Sequence, residues 1–346
     1  NTLETPNFLL PNTMAITSAR NNVDQPFLQA TGTSGADRIY IGNNDFAVTP
    51  QSATVDVSLD GGTTWNSVRI EPRNTSGQDG PSIRPTIARD STIYVAYFGW
   101  RSFVGGIATS DVVVVRDDNG VAGPNAFKDL MGTDGLAGRR VVQNVSIPFS
   151  NSPTLGQERI GSTLSIAVDP NNSDVVYVAW ADRINNGATY TVHLRRSTNR
   201  GVNWSGDLVT APNATNAAVA VAGNGTVGFL FQQVTGSGAA SRWETHLLQS
   251  QDGFTTVLED GVLATVPANT PQVQFLPYIG DYAFVLAANG HFQGVFSAGN
   301  TPDSTNFPSG VVYQRSADFA TGTLRDRNGQ AVAVSIDPFY FRVPVR

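Results

Sequence analysis

Leu164-Ser165-Ile166-Ala167-Val168, a polar stretch from Asp169 to Asp174, and Val175-Val176-Tyr177-Val178-Ala179-Trp180 read together as one β-hairpin. β-Branched and aromatic residues suit pleated strands, and Asp, Asn and Pro suit the turn between them. The pattern recurs. It runs from Phe27 to Gly42, with Arg38-Ile39-Tyr40-Ile41 as second strand. Pro85 to Ala88, a turn at Asp90-Ser91 and Ile93 to Tyr97 repeat it. Ala218 to Val221, Gly223-Asn224-Gly225 and Val227 to Phe231 make another copy. Tyr282 to Leu286, Asn289-Gly290 and Phe292 to Phe296 make the fifth. Successive hairpins start about 53 to 80 residues apart, the spacing of four-stranded blades with variable loops.

Ala88, Ala167, Ala220 and Ala287 in the first strands fit a crowded central axis. These features predict an all-β chain, a single domain over residues 1–346 built as a six-bladed β-propeller of four-stranded antiparallel blades. Seven blades are the alternative. The sixth blade would combine the run Ala331 to Val345 with residues near the N-terminus, leaving no exposed edge. Residues 117–141 are Gly-rich and irregular and read as an insertion or lid-like loop.

The 346 residues are 40% hydrophobic and only 14% charged, with a formal net charge of -6. Lys128 is the only lysine among 22 basic residues. That balance gives no basic footprint for nucleic acid or an anionic membrane. Cysteine is absent, which removes disulfides, thiolate metal sites and cysteine nucleophiles. His193, His246 and His291 lie far apart, without metal-ligand spacing. No apolar run approaches the ~18 residues of a membrane span. The opening Asn1-Thr2-Leu3-Glu4 lacks an initiating Met and a leader, as in a processed secreted protein, so a secreted or extracellular location is expected, periplasm or cell surface included.

After the first hairpin comes Ser58-Leu59-Asp60-Gly61-Gly62-Thr63-Thr64-Trp65, a full S-x-D-x-G-x-T-W pattern. Ser197-Thr198-Asn199-Arg200-Gly201-Val202-Asn203-Trp204 is a degenerate copy after the third hairpin. Ser250-Gln251-Asp252-Gly253-Phe254-Thr255-Thr256 follows the fourth, and Ser316-Ala317-Asp318 is a remnant after the fifth. The pattern resembles the Asp-box, or BNR repeat, of the sialidase superfamily of β-propellers, and the resemblance covers about residues 25 to 320. Its chemistry is structural: Ser and Asp bond backbone amides, Gly supplies a left-handed turn, and Trp anchors it. The resemblance implies that these turns link third and fourth strands, opposite the active face. Ser58, Asp60, Gly62, Trp65, Ser197, Asn199, Gly201, Trp204, Ser250 and Asp252 are therefore read as scaffold.

The other face carries the entries to inner strands and the exits of second strands. A sialidase, by family resemblance, needs arginines to clamp a substrate carboxylate, a Tyr–Glu nucleophile pair and an acid. The expected clamp is Arg84, Arg159 and Arg183, with Trp100 stacking on a sugar. Tyr282 (or Tyr278) with Glu158 is the expected pair, and Asp45 or Asp79 the acid. The family's Phe/Tyr-Arg-Ile-Pro signature finds only Phe341-Arg342-Val343-Pro344, at the far end of the chain.

Two functional classes follow. One is a secreted sialidase-like exo-glycosidase acting on an acidic sugar, with a polysaccharide lyase as a lesser variant. The other is a non-catalytic propeller serving as an adhesion, lectin or protein-interaction module. The expected partner is a glycan or polysaccharide, or a protein for the second class, with no nucleic acid and no membrane insertion. No cofactor is expected. The Asp/Asn loops at Asp117-Asp118-Asn119 and Asn171 to Asp174 offer oxygen ligands for calcium but lack EF-hand spacing.

Overall fold

The structure is a computed structural model and describes residues 22–31, 37–47, 52–73, 82–148, 163–183, 190–272, 279–307, 311–312 and 316–346. The first sheet comprises β1 (Val23–Ala30), β2 (Ile39–Asp45), β3 (Ser52–Ser58) and β4 (Asn66–Arg69), paired in chain order. The second holds β5 (Arg84–Ile87), β6 (Ile93–Val104), β7 (Ile107–Asp117) and β8 (Arg139–Pro148). The third holds β9 (Leu164–Asp169), β10 (Asn172–Arg183), β11 (Tyr190–Ser197) and β12 (Val209–Pro212). A single pairing of Arg183 with Ser146 joins the second sheet to the third. The fourth holds β13 (Ala214–Val221), β14 (Val227–Thr235), β15 (Arg242–Ser250) and β16 (Glu259–Pro267).

In the fifth, β17 (Phe284–Ala288) and β18 (His291–Gly299) are followed by β19 (Val311–Val312). A small sheet of β20 (Ser316–Asp318), β21 (Thr323–Arg325) and β22 (Ala331–Val332) comes next, and β23 (Ile336–Pro344) returns to pair with both β18 and β19. All pairings are antiparallel. The described residues thus form five four-stranded sheets and the small three-stranded sheet of β20 to β22, and all five hairpins read from sequence supply the first two strands of the larger five.

The expected sixth blade is not built by the C-terminal run. Ile336–Pro344 completes the fifth sheet, because Phe292, Phe296, Phe339 and Phe341 bury together there. Aromatic rings on one face of a strand take the register that covers them.

The first strands surround an axis. Phe27, Thr86, Ala167, Ala220 and Ala287, one from each sheet, line a common cavity of about 270 Å³. Small side chains at three of these positions let the strands converge. Phe27 also meets Phe284 at 5.8 Å between ring centroids, bringing the first sheet against the fifth. This is the radial arrangement of a β-propeller. Apolar layers fill the wedges: one between sheets one and two, one between two and three, and one through three, four and five. Convergence is tight at Gly42, where an added Cβ would lie 2.3 Å from the Ile83 carbonyl oxygen. Backbone cannot swing aside as a side chain can. Gly42→Ala is expected to cost about 1–3 kcal/mol, read as a lower urea midpoint at unchanged m-value.

Alternating strand direction puts the first–second and third–fourth turns at one end of the axis. The three motif copies occupy third–fourth turns of sheets one, three and four. In each, the Ser hydroxyl bonds the acid or amide two residues on, at 2.8 Å (Ser58–Asp60), 3.1 Å (Ser197–Asn199) and 3.0 Å (Ser250–Asp252). Each Ser Oγ also accepts the amide four residues on at 2.8 Å. Trp65 and Trp204 donate their indole N–H to the carbonyls of Gly62 and Gly201, at 3.0 Å. The third copy holds Phe254 at φ 65° where the others have Gly62 at φ 89° and Gly201 at φ 80°. In the second sheet the 117–141 stretch takes the place of this turn. It is packed down: Val121, Phe127 and Leu130 are buried, and Asp117 accepts amides from Asn119, Val121 and Phe127.

Candidate functional site

The opposite end gathers strand entries and exits, and the polar residues there fall into two groups. The first surrounds the mouth of the axis. Arg84 opens β5 and is buried, its Nε donating to the Leu164 carbonyl at 3.0 Å and its guanidinium lying 4.4 Å from the Phe27 ring centroid. Burial pulls its pKa down to about 10, with Tyr282 as an opposing influence. Tyr282 is half exposed beside buried Asp281.

Next to them a polar chain crosses three sheets. Thr163 Oγ1 meets Thr215 Oγ1 at 3.0 Å. Asn216 donates to Gln232 Oε1 and to the Gly280 carbonyl, both at 2.8 Å. Gln232 in turn donates to Thr245 and to the Ser297 carbonyl, both at 2.9 Å. Asn216 sits at φ 56°, at a bulge between Thr215 and Ala218 that turns its amide inward.

The second group lines a cleft of about 370 Å³ between the second and third sheets. Its walls are the Val142–Ser146 stretch of β8 and Trp180, Asp182, Arg183, His193 and Arg195 of β10 and β11. His193 stacks on Trp180 at 5.0 Å. Its Nδ1 lies 2.9 Å from Asp207, and its Nε2 lies 3.4 Å from Asp182. Burial works against the imidazolium, yet the two carboxylates win and hold the pKa up at about 9. His193 is therefore a cation at neutral pH and cannot serve as a general base there. Asp182 also accepts the Trp180 indole N–H at 2.8 Å, and Asp207 accepts Arg195 Nε at 2.6 Å.

The cleft's other wall exists because β8 is bulged. Two register shifts against β7 give β8 extra residues, and Asn144 adopts φ 58°. The Asn144 amide is held by Asp111 at 3.0 Å, which leaves the Gln143 and Asn144 side chains exposed. Asp111 belongs to a closed ring of alternating charges. Arg101 bridges Glu71 (2.9 Å) and Asp111 (3.0 Å), Arg140 bridges Asp111 (3.7 Å) and Asp134 (3.4 Å), and Arg73 bridges Asp134 (2.8 Å) and Glu71 (3.8 Å). Burial pushes the fully buried Glu71 carboxyl above its ordinary pKa, against the pull of Arg101 and Arg73. The hydrogen bond from Arg73 holds Asp134 down at about 2.

The sequence-expected residues fare unevenly. Asp79, Glu158, Arg159 and Tyr278 lie outside the described residues. Arg84 and Arg183 line different cavities, so the structure does not bring them into one clamp. Asp45 is buried at the end of β2, where it accepts the Ala47 amide at 2.9 Å and shapes the turn. Trp100 is 3% exposed, its ring stacked under Phe103 at 5.1 Å, so Trp100 itself offers no sugar-stacking face. His193, Asp207 and Arg195 were missed, although His–x13–Asp recurs at His246 and Asp260. There the ring stacks on Phe231 at 5.0 Å and Nδ1 lies 2.9 Å from Asp260.

No family model and no curated protein sequence matches the chain. Among solved structures it is similar to the α-L-arabinofuranosidase Arb93A of Fusarium graminearum, at 13% identity over 93% of each chain and a TM-score of 0.47. An α-L-arabinanase of Penicillium chrysogenum is 13% identical over 79% of this chain and 74% of its own, with a TM-score of 0.46. A protein of unknown function from Dyadobacter fermentans is 13% identical over 94% of this chain and 96% of its own, with a TM-score of 0.44.

Proposed function

We propose that the chain is a glycan-binding β-propeller of sialidase-superfamily type, secreted, with five blades, that holds an acidic sugar at the strand-entry face. The observation that carries this reading is the cleft between the second and third sheets. Its volume falls within the range of small-ligand sites, and its walls offer carboxylates, guanidinium groups and amides that pair with hydroxyls. Among the described residues Arg183, His193 and Arg195 stand beside Asp182 and Asp207 there, and such cationic donors suit an acidic substituent. Binding rather than hydrolysis is favoured because the imidazolium is already committed to two carboxylates, and Arg84 is committed to the Leu164 carbonyl.

Calorimetric titration with sialyllactose, tri-galacturonate and lactose tests it. One acidic ligand is expected to bind and lactose to bind at least tenfold more weakly, with Arg183→Ala losing that preference. Absence of binding to every glycan would overturn the reading.

Half-exposed Tyr282 beside the Arg84 cation favours a second, catalytic reading. In that reading Tyr282 is the nucleophile, Glu158 its base, Asp79 the acid, and Arg84 with Arg159 the clamp. Turnover of an aryl sialoside by wild type, lost in Tyr282→Phe, would establish it. No turnover by wild type leaves only binding.

A further inference from the structure

We infer that the β6–β7 hairpin carries an aromatic platform, Phe103 backed by Trp100, on which a second sugar of the glycan stacks beside the cleft. The inference rests on the glycan reading and names its ligand as an oligosaccharide. Among the described residues the hairpin is the longest, with strands of 12 and 11 residues against 7 and 7 for β2 and β3. Its pairing continues past the bulge at Arg101 through Phe103–Ala108 and Val104–Ile107 to a Gly105-Gly106 turn, with φ of 60° and 78°. Those angles suit a two-residue hairpin turn and would strain any other residue.

At the tip Phe103 is 44% exposed while Trp100 beneath it is 3% exposed. The rings stack at 5.1 Å with 16° between their planes. Phe103 thus stacks on a buried ring while nearly half of its own surface stays exposed. An aromatic ring held flat in this way loses little conformational freedom when a ligand packs on it, and apolar C–H faces of a pyranose match it.

The platform and the cleft share a wall. Trp100 packs in the same apolar layer as Val145 and Trp180, and both of those line the cleft. On the hairpin's other side Arg101 is tied to Glu71 and Asp111, which fixes the hairpin to the first sheet's exit.

The surroundings favour sugar over lipid. The tip itself is apolar, with Val104 exposed beside Phe103 and Ser102 and Thr109 half-buried behind them, but it carries no cation for an anionic headgroup: Arg101, the hairpin's only basic residue before Arg116, is already paired with Glu71 and Asp111. A chain of net charge -6 offers no attraction to an anionic bilayer.

Titration of wild type, Phe103→Ala and Phe103→Trp with sialyllactose and with the methyl glycoside of sialic acid separates the cases, with tryptophan emission followed in parallel. Phe103→Ala is expected to lose about tenfold or more in affinity for the trisaccharide and little for the monosaccharide. Phe103→Trp should restore it. In wild type, trisaccharide binding should shift tryptophan emission, and part of that shift should be lost in Trp100→Phe. Equal trisaccharide affinity in wild type and Phe103→Ala overturns the platform while leaving the glycan reading intact. Binding of neither sugar by wild type overturns the glycan reading itself. Sedimentation with phosphatidylcholine–phosphatidylglycerol vesicles, lost in Phe103→Ala, would assign the tip to a membrane and also overturn the platform.

Discussion

Arg101→Met is expected to destabilise the protein by about 3–5 kcal/mol. The reason is the partner left behind. Glu71 is fully buried and meets Arg101 at 2.9 Å, with Arg73 farther off at 3.8 Å. Removing Arg101 leaves a carboxylate without its nearer cation, in a place that already disfavours its charge. Asp111 loses its 3.0 Å contact at the same time, and with it part of the support for the Asn144 bulge. The check is a urea titration followed by far-UV circular dichroism, with the double variant Arg101→Met/Glu71→Leu alongside. Replacing both partners removes the orphaned charge and should recover most of the loss. A double variant no more stable than Arg101→Met would show that packing, not charge, accounts for the cost. Glycan affinity should fall in the single variant in proportion to loss of the bulge.

His193→Gln is expected to cost on the order of 3 kcal/mol near pH 6 and almost nothing above pH 10. The sign follows from the direction of the shift. The folded-state pKa is raised from 6.5 to about 9, so the folded form holds a proton that the unfolded chain releases. The contribution is fully present below pH 6.5 and is lost as pH rises through about 9. The groups facing the ring are Trp180, Asp182, Asp207 and Arg195, and the two carboxylates carry the effect. Thermal melts of wild type and His193→Gln from pH 6 to 10 should converge as pH rises. Parallel curves would contradict the charged-imidazole assignment.

Much of the fold was legible because its signals are local. Strand alternation, turn residues and the S-x-[D/N] motif each act within about ten residues, and Leu164 to Trp180 forms the hairpin its composition dictates. The closing of the fifth sheet was not legible. The match of Ile336–Pro344 to His291–Gly299 depends on which face the Phe rings of β23 take, a tertiary choice across a 36-residue excursion (300–335).

The site shows the same division. Arg84, Arg183 and Trp100 were located at strand entries and exits, yet burial decides what they do. Trp100 became a buttress because Phe103 covers it, and Arg84 was drawn to a carbonyl of the neighbouring sheet. His193 and Asp207 come together only once β11 and β12 pair, so spacing alone could reveal them only through the repeat at His246 and Asp260.

The proposed glycan site lies at the strand-entry face, between the second and third sheets. Amide hydrogen exchange of the whole protein with and without saturating acidic oligosaccharide tests it most directly. Added protection is expected in three stretches only, Trp100 to Ser110, Val142 to Ser146 and Trp180 to Arg195. Protection centred instead on the turns Ser58 to Trp65 and Ser197 to Trp204, at the other end of the axis, would contradict it.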